Sequence, residues 1–534
     1  MILAASGARV TVYEAGEMVG GRTAHVVAQG ESGEFRFDKG PTFFMMPYVL
    51  DEVFAACGER VRDHVKMTRL DPMYRLLLGR PGQSPLQIDA TQNVQAMCER
   101  IGKVNPRDGQ MFAKFLEDNR AKLRHSESIL RNAMRTPLDL FGPDVWKDTL
   151  RVGPMLSPHL SVHQLLEKYF EDPLVRLAVC FQSKYLGMSP YECPSLFTIL
   201  PFIEYEYGIW HPEGGCHALM QAMAKVARSL GVEIVCNAPV MRVLTQEDGY
   251  GKRDGNAPEA GAVVIGGKGA LAGQTIAHDA VVVNADATWA LKNLFSERTM
   301  DRAGGLGDRY DAAKIDAKRY SCSTYMLYLG VKGDVGQEAL PHHTIYVSER
   351  YKQNLEEICE LGQLSPDPSI YLCNPGRIDA TLAPRGCSSL YVLIPTPNCD
   401  AKVDWSVANT RYRADAFAQL GKYFGLSLEG ERDPRIECMV EYTPDTWKGL
   451  NINKGATFNL AHNLGQMLHL RPQNKLRGFE NVYLVGGGTH PGSGLPTIFL
   501  SAQISARMLC EQFGLACASK SEEVAAIGCQ RAMR

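Results

Sequence analysis

Residues suited to holding an anionic or electron-rich cofactor concentrate near the end of the chain, between Val482 and Pro496. Val482 to Val485 reads as a buried strand, three glycines (Gly486, Gly487 and Gly488) break it, and His490-Pro491-Gly492-Ser493-Gly494 turns the chain. A helix is predicted from about Pro496 to Glu511, with proline in the first turn, where its missing N–H costs nothing. Glycine has no Cβ to hold a ligand away, and the free N–H groups of a helix start favour negative charge. A plain strand–helix turn would account for one Gly-Gly. Three glycines followed so soon by Pro-Gly-Ser-Gly ask for bare backbone against a ligand.

The start of the chain carries matching chemistry. Residues 2–5 read as the end of a helix, Ser6-Gly7 as its stop, and Ala8 to Tyr13 as a strand closed by Glu14. An acidic residue in that place, ending the second strand of a dinucleotide-binding βαβ unit, accepts hydrogen bonds from ribose hydroxyls. Gly20-Gly21-Arg22 then sets flexible backbone and a guanidinium where a pyrophosphate would lie. The first half of that unit, a strand and a G-x-G-x-x-G ahead of the helix ending at residue 5, is absent from this sequence. The natural protein is therefore expected to carry about ten to twenty further N-terminal residues, one strand plus a turn.

With Phe37-Asp38 and Gly40-Pro41-Thr42, these stretches resemble the bacterial-type phytoene desaturase family of carotenoid desaturases, FAD enzymes related to the amine oxidase superfamily. Tyr185–Pro190, Gly208–Gly215, Val281–Asp286, Tyr325–Gly330 and Cys373–Pro375 look like the same family in the same order, so the resemblance spans about residues 1–515. The missing Gly-rich phosphate loop is the departure. The resemblance implies FAD held by Glu14, Gly20, Gly21, Arg22, Gly40, Thr42, Gly486, Gly487 and Pro496, with the Val240 backbone facing the adenine edge. It implies an α/β architecture: a Rossmann-like FAD-binding domain, discontinuous over 1–80, 206–300 and 440–515, that lacks its first strand. An α+β substrate domain (301–439) is inserted in it, a helical region (81–205) gives access to membrane and substrate, and 516–534 is a tail.

The implied reaction is desaturation of a polyene hydrocarbon such as phytoene or its C30 analogue diapophytoene. It removes a hydride and a proton from adjacent carbons, and since no side chain accepts a hydride the flavin must, passing electrons on to a quinone or oxygen. A substrate without a polar handle calls for an apolar tunnel opening towards a membrane surface. Phe43-Phe44-Met45-Met46 and the run Leu196–Trp210 are candidate walls, with ordinary core as the alternative. Loss of hydride leaves a strongly acidic allylic cation, so a weak base suffices. Glu204, predicted to share one face of a strand (204–210) with Glu206, is the candidate proton acceptor, with a structural role as the alternative. The same fold also serves carotenoid isomerases and end-group oxidases, whose specificity lies in tunnel length and end shape. A flavin amine oxidase is disfavoured by Gly487, where that group usually carries an acidic residue. The alternative of another class is a non-catalytic, membrane-associated partner.

Composition sets the frame for these elements. At 534 residues the chain exceeds what one core organises, so two or more domains are expected. Lysine and arginine total 57 against 59 acidic residues, a balance of −2 that argues against a nucleic-acid partner. Fifteen scattered cysteines without a Cys-x-x-Cys pair point to reduced thiols in a cytoplasmic setting, and to neither a zinc site nor a disulfide framework. His342-His343, the only adjacent histidine pair, has no cysteine or carboxylate at ligand spacing, so it is read as surface and no metal is expected. No run of eighteen uncharged apolar residues occurs, so membrane association is expected to be peripheral. Residues 81–180 are expected to be largely helical, Leu116–Met134 to be a surface helix, and 247–261 to be a loop or hairpin tip. Alternating strands are expected at Thr324–Leu329 and Leu390–Ile394.

Overall fold

The computed structural model describes residues 1–250, 259–302, 311–333, 340–426, 428–520 and 524. One region is assembled from pieces far apart in the chain. The helix Ile2–Ala5 leads into β1 (Thr11–Tyr13), and a hairpin of β2 (His25–Gln29) and β3 (Glu34–Asp38) follows. β4 (Met67–Arg69) waits for a partner far along the chain, and β5 (Tyr74–Arg80) and β6 (Gln83–Ala90) form a second hairpin. β7 (Trp210–Pro212) closes on β4, and β8 (Glu233–Val235) lies parallel to β1 with Ile234 opposite Val12. β9 (Val240–Thr245), β10 (Ala260–Ile265) and β11 (Thr275–Ala277) make an antiparallel sheet, as a hairpin around 247–261 requires, although its tip at 251–258 lies outside the described residues.

β12 (Val281–Val283) runs parallel to β18 (Val482–Leu484), whose three residues are all buried, as the apolar run predicts. The helix Leu495–Phe513 follows it within two residues of the predicted limits. Its first turn holds Pro496, and Gly514, in the left-handed conformation with φ +67°, ends it.

A second region is built on one seven-stranded sheet. To β5 and β6 it adds β13 (Ser323–Lys332), β14 (His343–Val347), β15 (Ile370–Cys373), β16 (Cys387–Thr396) and β17 (Ile436–Tyr442), in the order β17-β13-β16-β15-β14-β5-β6. All neighbours are antiparallel except β14 and β5. Both predicted strands fall inside β13 and β16. β13 is buried along its length up to Lys332 because its alternate residues feed two cores. Tyr325, Leu327 and Leu329 pack with Trp405 and Phe417 of the helix Trp405–Phe424. Met326 and Tyr328 pack with Phe35 and Phe37 of β3 and with Trp447. Since β6 belongs to this sheet, the stretch expected to be helical from 81 opens instead with a strand.

Further helices cover the other end. Pro106–Arg131 contains most of the predicted surface helix, starting where the Asn105 side chain accepts from the Asp108 N–H and burying Phe112, Phe115, Leu116 and Leu123. The predicted strand 204–210 is overturned. Ile199–Tyr207 is a helix, ended by Gly208 with φ +77°. A short apolar run bounded by glycine reads equally as buried strand or buried helix, and here Ile199, Phe202, Ile203 and Tyr205 pack into the large core. On a helix, residues two apart diverge, so Glu204 and Glu206 do not share a face: Glu204 is fully buried, and Glu206 pairs with Arg120 at 2.8 Å near the surface. No helix among the described residues is long and apolar enough to cross a membrane.

Candidate functional site

Strand ends and glycine turns position the cofactor-side residues. The Glu14 N–H donates to the Val235 carbonyl at 2.9 Å and the Glu14 carbonyl accepts from the Ala238 N–H at 2.9 Å, tying the end of β1 to the segment that opens β9 at Val240. The Glu14 carboxylate accepts from the Gly16 N–H at 2.7 Å, which fixes its direction while the side chain stays half-exposed. Gly20 has φ +118°, and a Cβ there would meet the Ala24 nitrogen and His217 Nδ1 at 3.1 Å. Gly21 faces open space.

Arg22 joins the two ends of the chain. Its Nη1 donates to the Thr457 carbonyl at 2.8 Å. In the amide orientation that satisfies both neighbours, Asn459 accepts from Arg22 at 3.1 Å and donates to Asp286 at 2.6 Å. Burial lowers the guanidinium from its usual value and Asp286 opposes that. Close approach explains two predicted glycines here: a Cβ on Gly40 would lie 2.7 Å from the Arg22 carbonyl oxygen, and one on Gly487 would lie 2.9 Å from the Asn459 amide. Gly486 (φ +108°) and Gly494 (φ +111°) complete the turn into the helix that Pro496 begins. Arg471, missed in the sequence and fully buried, donates to the Gly487 carbonyl at 2.8 Å. Thr457 Oγ1, Thr489 Oγ1 and His217 Nδ1 are buried without a protein partner, which fits a large polar ligand lying against these turns.

Thr42 sits apart from the glycines: it is buried, and its hydroxyl is hydrogen-bonded to that of Tyr371. The next residue, Phe43, packs between Tyr185 (ring centroids 5.8 Å apart) and His343 (5.2 Å). Behind this wall, Glu204 accepts from the Tyr74 hydroxyl at 2.8 Å and from Gln182 Nε2 at 3.0 Å. Burial pushes its carboxyl up to about 7, against the hydrogen bonds from Gln182, Tyr185 and Tyr74. Tyr74 and Gln182 carry no local signal and were reachable only through the fold.

The surface reading of His342-His343 is overturned as well. His342 is 5% and His343 1% exposed, and Cys373 is the register partner of His343 across β14 and β15. His211 lies beside them, with Nε2 2.8 Å from Asp379 Oδ2. Although burial raises the Asp379 carboxyl, hydrogen bonds from His211, Thr381 and Gly214 hold it well below the usual carboxylate range.

Parallel strand pairs closed by glycine turns and an acid ending one strand are the arrangement expected where backbone lies against a dinucleotide. The chain belongs to the flavin containing amine oxidoreductase family, which matches residues 2–510. It is 37% identical over 516 residues to the 4,4'-diapophytoene desaturase (4,4'-diapolycopene-forming) of Methylomonas sp, covering 96% of this chain and 92% of the relative. It is 36% identical to the all-trans-zeta-carotene desaturase of Myxococcus xanthus, covering 96% and 90%, and 31% identical to the lycopene-forming phytoene desaturase of Pantoea ananas, covering 95% and 96%. Among solved structures, an oxidoreductase from Methanosarcina mazei shares the fold with a TM-score of 0.56 at 15% identity over 95% of this chain and 97% of that one. Cyclohexylamine oxidase from Brevibacterium oxydans does so with a TM-score of 0.52 at 16% identity over 96% and 95%. The cofactor is FAD.

Proposed function

We propose that the protein desaturates a carotenoid-type polyene, phytoene or diapophytoene, at a membrane surface. The observation that carries this reading is the relationship over nearly the whole chain to enzymes named for desaturating such polyenes. FAD supplies the hydride acceptor, with a quinone or oxygen taking the electrons onward. The chain's own residues do the rest. Glu14 and Arg22 bind and orient the cofactor. Phe43, Tyr185 and Tyr371 wall the reacting end and exclude water. Glu204, poised near 7 behind Tyr185, takes the proton that the substrate cation releases.

The elements Pro137–Phe141 and Trp146–Val152 pack together and leave Leu138, Phe141, Trp146 and Leu150 exposed, flanked by Lys147 and Arg151. A cluster of this kind supports docking on the lipid that stores the substrate. The test is to incubate the FAD-loaded protein with liposomes carrying phytoene or diapophytoene and follow products by chromatography and mass spectrometry. The reading requires loss of hydrogen pairs and a lengthened chromophore. A product of unchanged mass would make the enzyme an isomerase, and one that gains oxygen would make it an end-group oxidase.

A further inference from the structure

We propose that His342, His343 and Cys373, with His211 as fourth ligand, form a closed site for a zinc-class divalent metal ion behind the substrate wall. The donor atoms of His342, His343 and Cys373 all lie within 4.8 Å of one another, and all three residues are buried. The fold makes this juxtaposition. His343 opens β14 opposite Cys373 at the end of β15, so both side chains leave the sheet on one face. His342 turns onto the same side: its ring lies 4.2 Å from that of His343, and its Nδ1 lies 3.9 Å from Cys373 Sγ. His211, on β7, brings its ring centroid to 4.8 Å from that of His342.

The cluster is poorly satisfied by protein alone. A neutral imidazole has one N–H and one lone pair to place, yet His342 Nε2, both nitrogens of His343 and His211 Nδ1 are buried without a hydrogen-bond partner. The Met73 backbone approaches His343 without closing a directed hydrogen bond. His211 also has the backing typical of a metal ligand. With its Nε2 tied to the Asp379 carboxylate at 2.8 Å, the ring leaves the Nδ1 lone pair free.

Three imidazoles and a thiol suit tetrahedral zinc in preference to calcium or magnesium. Zinc bonds of about 2.0–2.3 Å draw donors closer than the present 4.8 Å span, a change that side-chain rotation supplies. Binding is not redox: Cys373 releases its thiol proton to solvent, and the imidazoles give lone pairs only. The ion would pin β7, β14 and β15 together, with the ring of Phe43 5.2 Å from that of His343.

The test is the metal content of the purified FAD-loaded enzyme by elemental mass spectrometry, after incubation with zinc and dialysis, followed by zinc-edge X-ray absorption. About one zinc per chain with nitrogen neighbours and a single sulfur is expected. Cys373→Ser is expected to lower bound zinc at least about tenfold while keeping the flavin. Zinc far below one per chain in the wild-type enzyme overturns the proposal. So does full zinc retention by Cys373→Ser, or a first shell without sulfur. The wild-type stoichiometry decides even if the variant does not fold, and neither readout depends on what the enzyme oxidises.

Discussion

The cofactor side and the substrate side of this molecule treat charge in opposite ways. Around the glycine turns charges are kept and paired: Arg22 reaches the Thr457 carbonyl and, through Asn459, Asp286. Behind the aromatic wall burial works against charge on two groups, pushing Glu204 up to about 7 and His343 down to about 3, while hydrogen bonds keep Asp379 ionised beside His211. An anionic, hydrogen-bonding cofactor gains from the first environment. A hydrocarbon has no use for unpaired charge in the second. One chain thus holds hydrogen-bonded glycine turns and a tightly packed aromatic layer a few residues apart along the loop from Gly40 to Phe43.

The comparison breaks most readily at Arg22. Arg22→Met removes the charge-assisted hydrogen bond to the Thr457 carbonyl that ties residues 20–22 to the C-terminal segment, so FAD affinity should fall by about 2–4 kcal/mol, on the order of a hundredfold. A flavin fluorescence titration reads this directly, and undiminished binding would separate the cradle from Arg22. On the substrate side, Glu204→Leu should cost about 2–4 kcal/mol in urea unfolding, because Tyr74 and Gln182 lose a buried acceptor. Glu204→Gln keeps an acceptor and should stay within about 1 kcal/mol of wild type at acid pH.

Glu204 also fixes the sign of a pH effect. Its folded value is raised to about 7 from an ordinary value of 4.5, so the folded state holds the proton more tightly than the unfolded chain. The stability this brings is present below about 4.5 and is lost as pH rises through about 7. Relative to Glu204→Gln, the wild type should therefore weaken between pH 5 and pH 8, seen as a diverging urea midpoint, and parallel midpoints would mean that Glu204 is already ionised at low pH.

Smaller effects sharpen the same contrast. Gly492 has φ +142°, and an added Cβ would lie 2.6 Å from His462 Nε2, so Gly492→Ala should destabilise by about 1–3 kcal/mol and loosen flavin. Leu138→Ser combined with Leu150→Ser, at exposed positions, should leave stability within about 0.5 kcal/mol while reducing co-sedimentation with liposomes. Unchanged sedimentation would move membrane docking elsewhere.

The two sides also differed in how much of them could be read from sequence. Gly40 and Gly487 were legible because a missing Cβ leaves a local signature wherever backbone must approach closely. The β18–helix unit was legible because its strand, turn and helix are contiguous. The polar groups around Glu204 and His343 were not, because they meet only through the sheet and helix packing. Glu204 was placed on a strand since a short apolar run ending at Gly208 suits either element, and tertiary packing chose the helix. His342-His343 looked like surface because a ligand partner was sought nearby, while Cys373 arrives across a strand pair thirty residues later. For the same reason nothing local indicated that β5 and β6 extend a sheet built mainly from residues 323–442.

The most direct test of flavin-coupled desaturation by this protein is anaerobic. FAD-loaded protein is mixed with phytoene or diapophytoene in liposomes while flavin absorption and polyene products are recorded together. The account predicts bleaching of the flavin in step with the appearance of new double bonds, one flavin reduced for each double bond formed. Flavin that is bound but stays oxidised while the polyene is desaturated, or flavin that bleaches without any new double bond, would contradict it.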